Sequence, residues 1–180
     1  VERKFAGEKI TVDYLRKGKR EKAEITLKRF LPYLVLGEEY GKRPRYLLYA
    51  GLLFQPMNRN LMEAHGIRDP FVNYVFDNYL NKEIYKERPE VVILTAILPD
   101  EVNSYLAGYQ HSIVDEVNGV KIKTLNDVAA ALKKKDGKFV EVKLLEKNRP
   151  LVLRRDLADA AHQHIMRNYD VREDSYLGHE

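Results

Sequence analysis

Two stretches of the chain repeat each other at a fixed separation of 130 residues, and each has the form of a β-hairpin. Gly7 to Gly18 reads GEKITVDYLRKG, and Gly137 to Asn148 reads GKFVEVKLLEKN. Ile10, Val12, Tyr14 and Leu15 stand where Val140, Val142, Leu144 and Leu145 stand in the second copy, and Lys17 matches Lys147. The alternation of apolar and polar residues is a strand pattern. Gly18 and Asn148 are residue types that tolerate the backbone of a tight turn. Each copy then enters a second alternating stretch: Ala23, Ile25 and Leu27 in the first, Leu151 and Leu153 in the second. The second hairpin closes a unit that the chain contains whole, whereas the first has almost nothing ahead of it. The repeat therefore predicts that residues 1–29 are the closing hairpin of a truncated preceding copy. Residues 30–170 are then a complete domain and 171–180 a frayed tail. A chain opening on Val1 is expected to be a piece of a longer protein.

Composition narrows the class. The 180 residues are 44% hydrophobic and 32% charged, which suits a globular domain with a real core. Twelve Tyr and six Phe argue against disorder. No run approaches the roughly 18 apolar residues of a membrane span. The absence of cysteine removes disulfides, thiolate metal sites and a cysteine nucleophile. A net charge of +4 permits an acidic partner without requiring one.

Between the hairpins, strand and helix signals mix. Tyr46 to Phe54 is an apolar run broken at Gly51. Asn58 is placed to cap a short helix, Arg59 to Ala64, ended by His65-Gly66. Residues 71, 72, 75, 76, 79 and 80 are apolar, giving helical periodicity from Phe71 to Leu80. Val91 to Leu98 is a β-branched run ended by Pro99, a buried strand. Ile113 to Val117 alternates into Asn118-Gly119, the strongest short turn signal. Thr124 caps a helix running to about Lys135, stopped by Asp136-Gly137. A last helix is expected from Asp156 to about Tyr169, with Leu157, Ala160, Ala161, His164 and Ile165 on one face.

From Ile113 to Arg155 the order is therefore strand, Asn-Gly turn, short strand, capped helix, glycine stop, hairpin. With Asn118-Gly119, Leu125, Leu132 and Gly137 in place, this segment resembles the second half of a PDZ domain of the Deg/HtrA (Do-like) serine proteases. The Leu15-Arg16-Lys17-Gly18-Lys19 turn fits the same pattern. Upstream, Tyr49-Ala50-Gly51-Leu52 resembles the Tyr-x-Gly-Φ carboxylate-binding loop of that family. The stretch YAGLLFQPM is similar to the last PDZ domain of the plant-type and related bacterial subfamily, which also carries a helical insertion, here about 58–89. The resemblance implies an α+β fold: a PDZ-like, partly open antiparallel β-barrel or sandwich with capping helices and that insertion.

The resemblance also implies a function. Such a loop aims successive backbone N–H groups at a peptide's terminal carboxylate. The expected peptide- and carboxylate-binding residues are Tyr49, Ala50, Gly51, Leu52, Leu53 and Phe54, with Leu125, Ala129 and Leu132 on the opposite helix wall. The implied partners are peptide or protein C-termini or internal segments, bound by strand addition, and neighbouring subunits of a homo-oligomeric parent protease. Protein quality control in a cell envelope or an organelle is what the family suggests. Two features favour a closed groove used for docking subunits instead. Pro56 removes a donor from the strand a ligand would pair with, and the insertion is placed to cover the site. The aromatic stretch 71–80 and the last helix are then the candidate contact surfaces.

Catalysis is weak by inventory. Ser104, Ser112 and Ser175 are the only serines, and none sits in a nucleophile elbow or a Gly-x-Ser-Gly-Gly setting. No catalytic residue is assigned to this fragment, and the parent is expected to be a serine endopeptidase. His162 and His164, two apart on a helix, point to different sides, so no metal site and no cofactor are expected. Lys133-Lys134-Lys135 reads as a solvated helix end rather than a nucleic-acid patch, because no stacking aromatics accompany it.

Overall fold

The computed structural model describes residues 4–28, 33–134 and 137–178. Strands β1 (Lys9–Arg16) and β2 (Lys19–Thr26) form a two-stranded antiparallel sheet of their own. Lys17 and Gly18 make the turn, with φ of 50° and 76°, the two-residue type that matches strand twist. The main antiparallel sheet contains β3 (Tyr46–Tyr49), β4 (Leu52–Pro56), β5 (Val92–Ile97), β6 (Ser112–Val117), β7 (Val120–Lys121), β8 (Phe139–Leu144), β9 (Leu151–Arg154) and β10 (Ser175–Tyr176). Its order is β10-β3-β4-β5-β6-β8-β9, with β7 paired to β6, so it is not closed into a barrel. The helices are α1 (Tyr33–Leu36), α2 (Arg59–Ala64), α3 (Pro70–Asn78), α4 (Leu125–Lys133) and α5 (Arg155–Asn168). The fold is thus mixed, with antiparallel sheets, capping helices and a helical insertion, consistent with a PDZ-like fold.

Local chemistry explains the element boundaries. The Asn58 side chain accepts from Leu61 N–H, and Asp69 accepts from Phe71 and Val72 N–H, so each opens a helix by satisfying free donors. Thr124 and Asp127 form a reciprocal capping box on α4. Asn118 and Gly119, at φ of 50° and 76°, turn β6 into β7.

The β5 run is apolar without alternation because both faces of the sheet are covered there. Val92 and Leu94 join a core with Leu52, Phe54, Val114, Leu125, Val128, Val140 and Leu153 under α4 and α5. Ile93 points the other way, into a second core with Met57, Met62, Val72, Val75, Tyr79 and Ile113. The insertion helices α2 and α3 therefore pack on the sheet face opposite α4. Tyr79 is fully buried, its hydroxyl donates to Pro89 O at 2.6 Å, and burial pushes its phenol up to about 12.

Three expectations change. On α5 the buried stripe is Arg155, Ala158, Ala161 and Ile165, whereas Leu157 and Ala160 are exposed. The helix starts one residue earlier than its periodicity suggested, and Arg155 reaches the carbonyls of Gly137 and Phe139. On α3 the core takes Val72 and Val75, the following Tyr79 is also buried, Phe71 and Phe76 are half-buried, and Tyr74 is exposed, so the aromatic stretch is split between core and surface. The tail from Val171 is not frayed through residue 178. It forms β10, held by backbone pairing to β3 that no side-chain pattern announces.

Candidate peptide-docking site

The site begins at the hairpin joining β3 to β4. Ala50 and Gly51 have φ of 47° and 85°, and Tyr49 pairs with Leu52 across them. This is a closed two-residue turn rather than an open loop. Three of its backbone polar groups, Ala50 N–H, Ala50 O and Gly51 O, already have partners. Ala50 N–H donates to His162 Nδ1 at 3.2 Å. Asn103 Nδ2 donates to Ala50 O and to Leu98 O, each at 2.9 Å. Gly51 O accepts from Leu98 N–H at 2.8 Å. A Cβ at Gly51 would lie 2.3 Å from Asn103 Nδ2 and 2.5 Å from Leu98 O. Glycine is thus required both by the left-handed backbone and by the loop pressed against it.

The expected binding residues divide by burial. Leu52 and Phe54 are fully buried, and with Ala50, Leu125 and Leu132 they belong to one continuous core. Ala129 is buried on the same helix. Tyr49 sits at the margin of that core, and its hydroxyl donates to Asp159 Oδ1 at 2.8 Å. Burial, then that hydrogen bond, raises the Tyr49 phenol well above its ordinary range. Leu53 is half-buried, and its carbonyl accepts from Thr95 Oγ1.

The backbone of β4 has neighbours on both sides. Leu52, Leu53 and Phe54 pair with Tyr49, Leu48 and Leu47 of β3. They pair with Ile97, Ala96 and Leu94 of β5 on the other side. Neither edge is free over these residues. The helical insertion is not what covers them, since it packs on the opposite face of the sheet; β3 and the core itself fill the space.

Sequence reasoning missed several residues that shape this region. Asn103 is buried, and its Oδ1 accepts from Asp100 N–H at 2.9 Å, while Asp100 Oδ1 accepts from Val102 N–H. The signal was present as Asp and Asn three apart after Pro99, an Asx-turn composition. The two histidines point to different partners, His162 to the β3–β4 turn and His164 Nε2 to Asp100 Oδ2 at 2.6 Å. Glu90 ion-pairs with Arg45 and also accepts from Leu125 N–H, tying the start of α4 to the strand β3. A cleft of about 1130 Å³ opens beside β3 and β4, lined in part by Arg43, Arg45, Gln55, Pro56, Met57 and Tyr176. No helix among the described residues is long and apolar enough to cross a membrane.

Comparison with known proteins agrees with this architecture. The PDZ domain family model matches residues 35–176. The chain is 27% identical over 173 residues to "Putative protease Do-like 12, mitochondrial" of Arabidopsis thaliana, covering 96% of this chain and 31% of that protein. It is 25% identical over 175 residues to "Protease Do-like 2, chloroplastic" of the same plant, covering 95% of this chain and 28% of that protein. A "Serine protease DegP homolog" of Plasmodium falciparum is 28% identical over 126 residues, covering 68% of this chain and 13% of that protein. The chain spans about a third or less of the length of these relatives. With the family model matching most of its length and the fold agreeing, this chain belongs to the PDZ domain family, whose domains are protein-interaction modules.

Proposed function

We propose that this chain is a non-catalytic docking module of a Do-like serine endopeptidase, which engages protein segments or neighbouring subunits while the groove between β4 and α4 stays closed. The observation that carries the closed form is the pairing of Leu52, Leu53 and Phe54 on both sides. A peptide adding to β4 would have to displace β3 or β5. The Ala50–Gly51 turn also offers a terminal carboxylate little, because the Ala50 N–H is already donated to His162. Kinship with Do-like proteases supports the parent's activity, and the serine inventory supports a non-catalytic role here.

The test is a titration with peptides bearing a free C-terminal carboxylate, each paired with its amidated form and followed by amide NMR. No carboxylate-dependent shift is expected at Ala50, Gly51 or Leu52. Tight binding that disappears on amidation, with shifts centred on those amides, would reinstate the open-groove reading with Tyr49–Phe54 and Leu125, Ala129 and Leu132 as its walls.

Residues 1–29 fit the same proposal as the closing hairpin of a preceding PDZ-like unit. Ile10 pairs with Ile25 and Val12 with Ala23. At the offset of the repeat, Val140 pairs with Leu153 and Val142 with Leu151, across a connection two residues shorter. In β8 and β9 those four residues are completely buried, whereas Ile25 is 46% exposed. An apolar face of that kind calls for a core to cover it. Amide hydrogen exchange at Lys9–Thr26 should slow markedly when the chain is extended upstream by the adjoining part of its parent. Unchanged fast exchange in the longer protein would remove the preceding-unit assignment.

A further inference from the structure

The outer edge of β3 is covered by an extended piece of the same chain. Ser175 pairs with Leu47 and Tyr176 with Tyr46, antiparallel. Leu48 N–H donates to Asp174 O at 2.6 Å, extending the ladder by one residue. Side chains grip the same piece. Arg43 Nη2 meets Glu173 Oε2 at 2.5 Å, and the Arg43 guanidinium lies 4.5 Å from the centre of the Tyr176 ring. Tyr46 hydroxyl donates to Glu173 O at 2.9 Å, and Arg45 Nε donates to Leu177 O at 2.6 Å. Leu177 packs against the main core as the one apolar anchor.

These are the parts of peptide recognition by strand addition: a backbone ladder, an anchoring side chain and an ionic clamp. The hold is modest. The strand is two residues long, and the Arg43–Glu173 pair is exposed, a class of contact worth less than about 1 kcal/mol. The segment is also joined to α5 by a distinct turn, with Asp170 at φ 50° and Val171 N–H donating to Met166 O. It is therefore able to leave without unwinding that helix. Beyond Tyr176 the edge opens onto the 1130 Å³ cleft, which Gly178 also lines, so a longer segment has room to continue.

We infer that the outer edge of β3, with Arg43 and Arg45, is a strand-addition site for an acidic–aromatic–leucine segment of a partner protein, and that residues 173–178 occupy it as a competing internal ligand. The inference rests on the docking-module reading and names its surface. The Arg43 charge selects the acidic position and its guanidinium favours an aromatic ring, Arg45 Nε holds a backbone carbonyl, and the core margin under Leu177 accepts a branched aliphatic side chain.

The test uses the full chain carrying a specific protease site between Arg172 and Glu173. After cleavage and gel filtration, a fluorescent synthetic peptide copying residues 172–178 is titrated into cut and uncut protein, with circular dichroism recorded on both. Saturable binding to the cut chain is expected. A tethered competitor acts at an effective concentration of order millimolar, so the uncut chain should bind about 10-fold to 1000-fold more weakly. Arg43→Ala combined with Arg45→Ala should abolish binding to the cut chain. A cut chain that stays folded and ignores the peptide overturns the inference, as does equal binding before and after the cut. Should cutting unfold the protein, Glu173→Lys with Leu177→Asp in the uncut chain loosens the segment in place. That variant should bind the peptide at least about 10-fold tighter than the parent, and no gain overturns the inference. Random displayed peptides that bind cut and uncut chains alike, indifferent to Arg43, leave the docking module standing and remove this site. A blank from the whole display brings down the docking reading as well.

Discussion

Replacing Gly51 with alanine is expected to lower the unfolding midpoint by about 10 °C, the largest effect expected for a methyl added at any described glycine. The left-handed backbone costs an alanine about 1–2 kcal/mol. The added Cβ would also meet a backbone carbonyl, Leu98 O, at 2.5 Å. That contact cannot be relieved by turning a side chain, and overpacking of this kind costs about 1–3 kcal/mol more. For a chain of this length each kilocalorie is worth roughly 2–4 °C. The neighbouring turn residue supplies the control. Ala50 has φ of 47°, so Ala50→Gly relieves backbone strain while losing one buried methyl. Those two terms, about 1 kcal/mol each, nearly cancel. Thermal melts of both variants check the argument. A Gly51→Ala midpoint within about 2 °C of the parent would mean that the turn and the Asn103 loop are not pressed together as described. The consequence reaches function, because the same turn sets the position of β3 and with it the edge that residues 173–178 cover.

The second large effect is expected at Arg88. Its guanidinium ion-pairs with Asp115 and donates from Nη1 to Val114 O at 3.2 Å and Ile122 O at 3.3 Å. One side chain thereby ties the end of the insertion to β6 and to Ile122, which directly follows β7. Both charged groups are largely buried, with side-chain exposures of 13% and 17%. Arg88→Met leaves two carbonyls without this donor and Asp115 with only Lys121, which is itself exposed. The expected cost is about 2–4 kcal/mol, read as a lower denaturation midpoint with an unchanged slope. Arg88→Lys should recover only part of it, since one ammonium cannot reproduce the planar fork.

The same pair predicts a pH dependence. Burial pushes the Asp115 carboxyl up, but hydrogen bonds from Lys121 and Arg88 and their charges outweigh it, so the folded pKa lies below the ordinary 3.8. A depressed folded pKa contributes stability above the unfolded value and loses it as pH falls through the folded one. The parent should therefore lose stability below about pH 4. The loss should be shallower in Arg88→Met, where less of the depression remains. Parallel acid limbs in parent and variant would show that Asp115 and Arg88 are not coupled.

Much of the fold was legible because its signals are local. Asn118-Gly119 turns β6 into β7, Thr124 with Asp127 starts α4, and Asn58 starts α2, each through contacts a few residues apart. Hydrophobic periodicity placed α3 and the β5 run, and the repeat at offset 130 placed both hairpins. At the expected site, the turn and the strand were legible in the residues but their pairing was not. YAGLLF marks the turn and the strand, yet the pairing of β4 on both sides depends on β3 and β5 arriving together. The periodicity of α5 misplaced Leu157 because the helix turns Arg155, Ala158, Ala161 and Ile165 to the core, which leaves Leu157 on the outer side.

By itself, then, the sequence determined the element order from β3 to α5, the turn chemistry, the two-hairpin repeat and the likeness to PDZ domains of Do-like proteases. Those features rest on backbone preferences and on contacts between near neighbours, which the order of residues encodes directly. The tertiary structure alone decided that β4 lies inside the sheet, that Asn103 and His162 lock the Ala50–Gly51 turn, and that residues 173–178 form the edge strand. Each of these is a hydrogen bond across a long stretch of chain, such as Leu48 N–H to Asp174 O. A backbone donor carries no residue-specific mark of the partner it will find. The two stretches of the repeat do form hairpins, β1–β2 and β8–β9, while β4, the strand after the Ala50–Gly51 turn, is paired on both sides by the protein's own strands.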